Sequence, residues 1–349
     1  MFPLSIKIVA CSVITLFIIL SVLFIILVFH KIYENSSQAS VEQLKRKIQP
    51  PIFQNLFGEA EDSLKYFKKK RLFDDAILEL LKEMNNQFDL NSLNITQSKT
   101  FGGYIVPAIK KRLGVQSWSK RMNTLYLIEN LRLTSSWIDL WQVYHRKHIS
   151  RQEQYIILRI TSQANDLRVI SHLMKNPPYH SVYFYKQVIA KMDGQLFKHL
   201  VDQFDECSQE LRISILSVIG EKRELQYLPF IENHLSDQSS DIRIHALKTI
   251  RDYSYISRYE KLLPFAKSDF WIEQMIFCQI AKNMQKPEYL PELRELLTNR
   301  NWWVRYYSGE AIAHSPGGID LLREIVLRNN DKFAQDMADQ WIQRMELGL

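Results

Sequence analysis

Residues 241–250 read DIRIHALKTI, and variants of this stretch recur at three other places in the chain. They are LRISILSVI at 211–219, WIEQMIFCQI at 271–280 and WVRYYSGEAI at 303–312. The four copies end on evenly spaced isoleucines, namely Ile219, Ile250, Ile280 and Ile312. A period of about 30 residues is typical of proteins built from short helical units that stack on one another.

Each copy carries apolar residues three or four positions apart, which predicts an amphipathic helix, and a leucine-rich helical pattern follows it. The sequence therefore predicts four helical pairs, at residues 209–239, 240–269, 270–300 and 301–330. We expect the four isoleucines to line a shared core, because one helix pair cannot bury both of its faces alone. A weaker pattern reaches back to residue 104, and residues 331–349 are predicted to cap the array. No strand pattern competes, so the predicted fold class is all-α.

The pattern resembles HEAT repeats of the short bacterial type that is also found in phycobilin-lyase-like proteins. Asp241, Ile242, Arg243 and Ala246 carry this resemblance, because they follow the family order of an acidic residue, Val-Arg and then Ala. The other copies match in part, and the third departs, with Glu273 in the place of the arginine. The resemblance implies a right-handed α-solenoid of helical hairpins that binds other proteins along a concave face.

Three arginines occupy one position of the repeat: Arg212, Arg243 and Arg305. We expect them to form a ladder with acidic residues of the turns, such as Asp241. This ladder is predicted to be structural, since it lies at the same depth in each unit.

An apolar run from Ile8 to Phe29 contains no charged residue. As a helix it is about 33 Å long at roughly 1.5 Å per residue, which is enough to cross a bilayer core of about 30 Å. The run predicts a single transmembrane helix; the alternative is a cleaved signal peptide, whose apolar core is usually shorter. A second, short helix is expected after it, ended by Pro50 and Pro51.

Cations flanking the span predict its orientation. Lys7 precedes the run, whereas Lys31 and then Lys45, Arg46 and Lys47 follow it, so the rest of the chain is predicted to be cytoplasmic. Seven basic residues near the span are predicted to face anionic lipid, namely Lys45, Arg46, Lys47, Lys68, Lys69, Lys70 and Arg71. For the last four, a solvated helix end is an equal alternative.

The net charge of +7 is concentrated near the membrane segment. Residues 1–120 hold 16 Lys and Arg against 10 Asp and Glu, and residues 121–349 hold 29 against 28. A repeat body this close to neutral argues against nucleic-acid binding, which requires a strong positive excess. The predicted organisation is a tail at 1–7, a transmembrane helix at 8–29, a juxtamembrane and connector region at 30–103, and a solenoid at 104–349.

The best candidate for a binding site is the aromatic stretch at residues 302–307, because Trp, Tyr and Arg are enriched in binding hot spots. The predicted protein-binding residues are Trp302, Trp303, Arg305 and Tyr306, with Trp137 and Trp141 as weaker candidates. No phosphate-binding loop, nucleophile elbow or zinc motif is present, and the three cysteines form no framework. We therefore expect no catalytic residue, cofactor or metal ion.

These observations predict a single-pass membrane-anchored HEAT-repeat scaffold that binds a partner protein at the cytoplasmic face of the membrane. The partner is expected to be membrane-associated, for example a glycosyltransferase of polysaccharide synthesis or a signalling enzyme. Two alternatives remain open: a lyase-like enzyme built on a HEAT scaffold, and a binding protein on the other side of the membrane.

Overall fold

The computed structural model describes residues 2–57, 63–68, 70, 72–87, 101–133, 139–175 and 181–348. Every regular element in these ranges is a helix, which confirms the all-α prediction. The chain forms two compact units, Met1–Ala164 and Asn165–Leu349. Residues 104–164, predicted to belong to the solenoid, thus share a unit with the N-terminal helix.

The first unit contains six α-helices in its described residues: α1 Phe2–Phe57, α2 Phe73–Gln87, α3 Val106–Leu113, α4 Trp118–Asn130, α5 Leu140–Tyr144 and α6 Arg151–Gln163. Helix α1 packs on α2, α2 on α3, α3 on α4, and α4 on α6. The core includes Ile77, Ile109, Leu125 and Ile157, all fully buried. Each helix of this unit is therefore stabilised mainly by its apolar face.

Helix α1 is one continuous helix of 56 residues, so the prediction of a helix end at Pro50 and Pro51 is wrong. Two prolines remove two backbone N–H donors and normally end or kink a helix. Here Ile48 and Ile52, on either side of them, are buried as α1 packs against α2. This burial offsets the lost hydrogen bonds and carries the helix on to Phe57.

The N-terminal half of α1 makes no core. Residues 11–36 are exposed except for Ser21, which is half-buried. From Cys11 to Gln54 the helix is long and apolar enough to cross a membrane, with a mean hydropathy of 3.1 in its most apolar window and none of that window buried. Length and composition therefore allow either a membrane anchor or a signal sequence.

The described residues of the second unit form twelve α-helices. They are α7 Arg168–Lys175, α8 Val182–Ile189, α9 Gly194–Val201, α10 Gln209–Lys222, α11 Leu228–Asn233, α12 Ser240–Tyr253, α13 Leu263–Ala266, α14 Trp271–Met284, α15 Leu290–Leu296, α16 Trp302–His314, α17 Gly318–Arg328 and α18 Lys332–Glu346. Of these, α10 to α16 alternate between long and short. Helices α8, α10, α12, α14, α16 and α18 each pack on the next in this order. The predicted core isoleucines are confirmed, because Ile219, Ile250, Ile280 and Ile312 are all fully buried.

Three long helices of this unit, α10, α12 and α14, end in a left-handed residue that is not glycine. Arg223, Ser254 and Gln285 follow α10, α12 and α14 and adopt left-handed backbone angles, with φ of 52°, 53° and 51°. Glycine is the usual residue at this position, since a side chain there costs free energy. The regular spacing of these three helix ends thus comes from tertiary packing, since no glycine marks them in the sequence.

The short helices begin with a recurrent Leu-Pro pair, at residues 228–229, 263–264 and 290–291. Proline lies in the first turn of α11, α13 and α15, where its missing N–H has no intrahelical partner to lose. A single 3-10 turn precedes each of these helices.

The predicted arginine ladder is present for Arg212 and Arg243: Arg212 pairs with Asp237, an acidic residue of the turn as expected, whereas Arg243 pairs with Glu273 of the next long helix. Arg243 Nε donates to Glu273 Oε1 at 2.9 Å, and Arg212 Nη2 donates to Asp237 Oδ2 at 2.6 Å. Asp241, the acceptor that we predicted, instead accepts from Gln209 Nε2 at 2.6 Å. Glu273, which breaks the repeat signature in sequence, is therefore the buried partner of the preceding arginine.

The first unit contains the same kind of ion pair. Arg121 donates through Nε to Glu153 Oε1 at 2.6 Å and through Nη2 to Oε2 at 3.2 Å. Glu153 also accepts from the Ser150 backbone N–H at 2.9 Å, which completes a capping box at the start of α6. One fully buried carboxylate thus joins α4 to the first turn of α6.

Burial by itself raises the pKa of the Glu153 carboxyl. Hydrogen bonds from Arg121 and Ser150, with the positive charge of Arg121, outweigh burial, so the pKa of Glu153 lies below its usual value of 4.5. A folded-state pKa below the unfolded one means that this stabilisation is present above pH 4.5. It is lost as the pH falls through the folded-state pKa.

We expect Arg121→Met to destabilise the first unit by about 3–5 kcal/mol at pH 7, because it leaves a buried carboxylate without its cation. Without that cation, burial raises the pKa of Glu153, so the difference from the unsubstituted protein should narrow as the pH falls towards 4. Denaturant unfolding followed by circular dichroism at both pH values measures it. The control is Arg46→Met, since the exposed Arg46–Glu42 pair is screened by solvent and should contribute little to stability. A loss that is equal at the two pH values would contradict this role for the Glu153 charge.

Candidate protein-binding site

The first turn of α16 holds the predicted site residues Trp302 and Trp303 at the surface of the second unit. Asn301 caps this helix, and its side chain accepts from the Trp303 backbone N–H at 2.9 Å. The two indoles are 46% and 49% exposed. Burying such side chains is worth about 2 kcal/mol or more each, so their exposure provides apolar area for a partner.

Two aromatic stacks run along this helix. Trp302 stacks on Tyr306 with ring centroids 5.1 Å apart and an interplanar angle of 24°, and Trp303 stacks on Tyr307 at 6.2 Å and 23°. Residues four apart lie one above the other on a helix, which explains both stacks. The two indoles meet edge to face at 4.8 Å. These four side chains and Trp341 are called the α16 aromatic cluster below.

Helix α18 supports the cluster from beneath. The buried Trp341 ring lies 5.1 Å from the Tyr306 ring, and its Nε1 donates to the Tyr306 carbonyl oxygen at 3.1 Å. Arg344 Nη1 donates to the Tyr306 hydroxyl at 2.8 Å. The exposed tryptophans therefore rest on a layer whose own positions are set by hydrogen bonds.

Arg305 lies on the same helix as the other predicted site residues. Its Nη1 donates to the carbonyl oxygens of Asn299 at 2.8 Å and Arg300 at 3.2 Å, in the turn before α16. The Phe333 ring lies over the guanidinium, with its centroid 5.1 Å from Cζ. Trp302, Trp303 and Tyr306 are thus in mutual contact, and Arg305 shares their helix while contacting the preceding turn and Phe333.

The two weaker candidates differ from this group. Trp141 is only 8% exposed and packs against Tyr144 and His145 in the first unit, with centroids 5.4 Å and 6.1 Å away. It is a core residue, so the expectation of an exposed anchor at this position is corrected. Trp137 lies outside the described residues.

The basic residues predicted to face lipid do not act as one group. Lys45 is buried and paired with Glu42 at 2.5 Å and Glu83 at 2.6 Å, so the prediction of a lipid contact is wrong for this residue. The Lys45 ammonium group instead joins α1 to Glu83 of α2. Arg46 and Lys47 are exposed.

The second basic group lies after α1. Lys68 and Lys70 are exposed, and their ammonium groups lie over aromatic rings, at 5.4 Å from Tyr104 and 5.0 Å from Phe67. Lys69 and Arg71 lie outside the described residues. The lipid contact predicted for this group stays a prediction.

A cavity of about 860 Å³ that sequence reasoning missed lies beside α11, α13 and the start of α14. Glu232, in its wall, accepts from the Ser257 N–H, the Ser257 hydroxyl and Lys261 Nζ, each at 2.6 Å. Burial raises the pKa of Glu232, but the hydrogen bonds and the charge of Lys261 outweigh it, and the pKa is lowered. The carboxylate is therefore ionised at neutral pH and ties α11 to the segment between α12 and α13.

In the part of the chain that the structure describes, no three His, Cys, Asp or Glu side chains are placed to hold a metal ion. Cys278 is fully buried, and burial raises its thiol pKa. For Cys207 burial raises the pKa to about 11. Neither thiol is a reactive thiolate at neutral pH.

No family model and no curated protein matches the chain. Among solved structures, the chain is similar to a crystal structure of an engineered protein, at 12% sequence identity and a TM-score of 0.35. That alignment covers 89% of this chain and 96% of the other. Evidence about function therefore comes from the residues themselves.

We expect Gly309→Ala to disrupt the support of the α16 aromatic cluster. A Cβ at this position would lie 2.4 Å from Trp341 Cδ1, so α18 must move or Trp341 must leave its rotamer. Overpacking of this kind costs about 1–3 kcal/mol. Thermal unfolding should show the loss, and tryptophan fluorescence should shift. The control is Gly194→Ala, whose Cβ meets nothing within 4 Å and which should be neutral or slightly stabilising. Equal stability of the two variants would contradict the tight contact.

Proposed function

We propose that this protein is a membrane-anchored helical-repeat scaffold that binds a partner protein through the α16 aromatic cluster. The observation that carries the proposal is the pair of half-exposed tryptophans, each already stacked on a tyrosine. Tryptophan, tyrosine and arginine dominate binding hot spots. Stacked side chains have lost most of their rotamer freedom before binding, so a partner meets a lower entropic cost.

We propose that the second unit is a right-handed α-solenoid of HEAT-like hairpins. The order in which its long helices pack, the alternation with short helices and the even spacing of their ends support this proposal. In such an array each unit contacts only its neighbours, and polar terminal elements close the ends. Helix α18, with its buried Ala334, Ala338 and Trp341 and its charged outer side, suits that role.

We also propose that α1 anchors the protein in a membrane. The support is the uncharged run from Ile8 to Phe29, which exceeds the apolar core of about 7–15 residues of a signal peptide and is exposed in its described part. The same helix contributes Ile48 and Ile52 to the core of the first unit. An anchor of this kind holds the folded body near one membrane surface and raises its effective concentration towards partners there. A membrane-associated protein is therefore the partner class that we favour.

The continuity of α1 changes the expected role of Arg46 and Lys47. The rise from Phe29 to Arg46 is about 25 Å along a helix, at roughly 1.5 Å per residue. The headgroup layer takes up only about 5–8 Å of this distance, and charges are screened within about 8–10 Å at physiological salt. An upright α1 would hold these cations too far from lipid to contribute much to membrane binding.

The proposed orientation places both folded units in the cytoplasm, because more cations follow the span than precede it. We expect a green fluorescent protein fused to the C-terminus to fluoresce, and an alkaline phosphatase fused there to be inactive. The two fusions control for each other's expression. Phosphatase activity with a dark fluorescent fusion would reverse the orientation and favour an extracytoplasmic binding protein.

We expect Trp302→Ala/Trp303→Ala to lose a partner that the unsubstituted protein retains in an affinity purification from detergent-solubilised native membranes. Removing two hot-spot indoles should weaken binding by about 2–4 kcal/mol each. The matched control is Trp118→Ala, because Trp118 is a similarly exposed indole in the first turn of α4, in the other unit.

A partner lost from the double variant and kept by Trp118→Ala supports the proposed site. Retention by a correctly folded double variant places the site elsewhere on the protein. The absence of any specific partner contradicts the scaffold proposal itself.

A further inference from the structure

Three arginines of this chain hold their guanidinium groups in the same way. In each, Nη1 donates to the two carbonyl oxygens that lie six and five positions earlier in the chain. The distances are 2.9 and 2.6 Å for Arg121, 2.9 and 3.1 Å for Arg243, and 2.8 and 3.2 Å for Arg305. One end of each guanidinium is therefore fixed to the turn before its helix, which also fixes the direction of the opposite edge.

That opposite edge binds a carboxylate in two of the three cases. Arg121 holds Glu153 through Nε and Nη2, and Arg243 holds Glu273 through Nε at 2.9 Å. Both acids are buried, and each is the third residue after the cap of the next long helix. A carboxylate matches this edge because its two oxygens can accept side by side.

Arg305 lacks such a carboxylate. The corresponding position, third after the cap Asp331 of α18, is Ala334. Arg305 Nε is buried with no hydrogen-bond partner. Asp331 is already used as the cap, because its Oδ1 accepts from the Ala334 N–H at 3.1 Å. An unpaired buried donor is costly, so this edge of Arg305 is a place where a hydrogen-bond acceptor could bind.

A comparison with Arg212 shows how the hydrogen bonding of Arg305 differs from that of another ladder arginine. Arg212 also has an unpartnered Nε, but its Nη2 already donates to Asp237 at 2.6 Å. For Arg305, both of the hydrogen bonds described above leave from Nη1. Arg305 is thus the member of the ladder whose charge has no acidic partner in the described chain.

The guanidinium of Arg305 also lies over the ring of Phe333. The ring centroid is 5.1 Å from Cζ, and Phe333 is 66% exposed. Phe270 lies over Arg243 at 5.6 Å while Arg243 still holds Glu273. An aromatic ring and a carboxylate can therefore share one guanidinium in this protein.

We propose that the open edge of Arg305 binds an aspartate or glutamate side chain of the partner protein, beside the apolar contact on Trp302 and Trp303. This inference rests on the proposed function and adds the chemistry that the partner must present. The occupant is an acidic residue with apolar neighbours, which reproduces in trans the contact that Glu153 makes within the chain. Charge complementarity at a single half-buried cation would set the orientation of the partner on the aromatic cluster.

The first test supplies the missing carboxylate within the chain. Ala334→Glu should pair with Arg305 and raise the melting temperature by about 2 °C or more relative to Ala334→Gln, which has the same size without the charge. Adding Arg305→Met to both variants should remove the advantage of Ala334→Glu or reverse it, because the new carboxylate then lacks its cation. If Ala334→Glu and Ala334→Gln melt together, the edge is not open to a carboxylate and the proposal fails.

The second test asks what binds there. The full-length protein in detergent is panned against random dodecapeptides displayed on phage. Peptides retained by the unsubstituted protein should share one Asp or Glu next to apolar residues. Ala334→Glu should lose this enrichment, because its own carboxylate occupies the edge, whereas Ala334→Gln should keep it. Arg305→Met should lose it without adding side-chain volume.

The outcomes separate this inference from the proposed function. Peptides that need Trp302 and Trp303 but show no acidic preference would retain the proposed function and overturn this inference. Acidic enrichment that survives in Ala334→Glu or Arg305→Met would place the acid elsewhere and also overturn it. A protein that selects no peptide at all counts against both.

Discussion

The structure depends on half-buried arginines near the start of the long helices and on the buried carboxylates that they hold. Each ladder arginine must satisfy several donors away from water, and Arg243 does so by holding the carbonyls of one turn and a carboxylate of the next long helix. Breaking such a pair leaves an uncompensated buried charge, so it fixes the relative position of neighbouring helices. The sequence separation between the partners, as from Arg243 to Glu273, equals one repeat. Each pair therefore joins one repeat unit to the next.

The aromatic cluster follows from the same constraint. Arg305 fixes the turn before α16, and this places Trp302 and Trp303 in an exposed first turn. Because α18 carries alanine where α6 and α14 carry glutamate, the series ends with an unsatisfied cation next to exposed indoles. Apolar area and an available charge therefore occur together at one place, which is what recognition of a protein segment requires.

Sequence reasoning succeeded where one local pattern decides the outcome. The period of the isoleucines predicted helices and a shared core, and all four are buried. It failed where a distant contact overrides local preference. Pro50 and Pro51 do not end α1, because the residues around them are buried against α2. Lys45 is buried because Glu42 and Glu83 neutralise it, and Trp141 is buried by its neighbours in α5. None of these partners can be identified from spacing alone.

The sequence by itself determined the helical class, the long apolar helix at the N-terminus and the residues that repeat, because hydrophobic periodicity and composition act over a few turns of chain. Only the tertiary structure decided which charges pair. Nothing in the sequence marks Glu153 and Glu273 as partners of arginines, and Arg305 looks like Arg121 and Arg243. Their difference lies one repeat further along the chain, in whether the next long helix offers a carboxylate, and folding brings that position into contact.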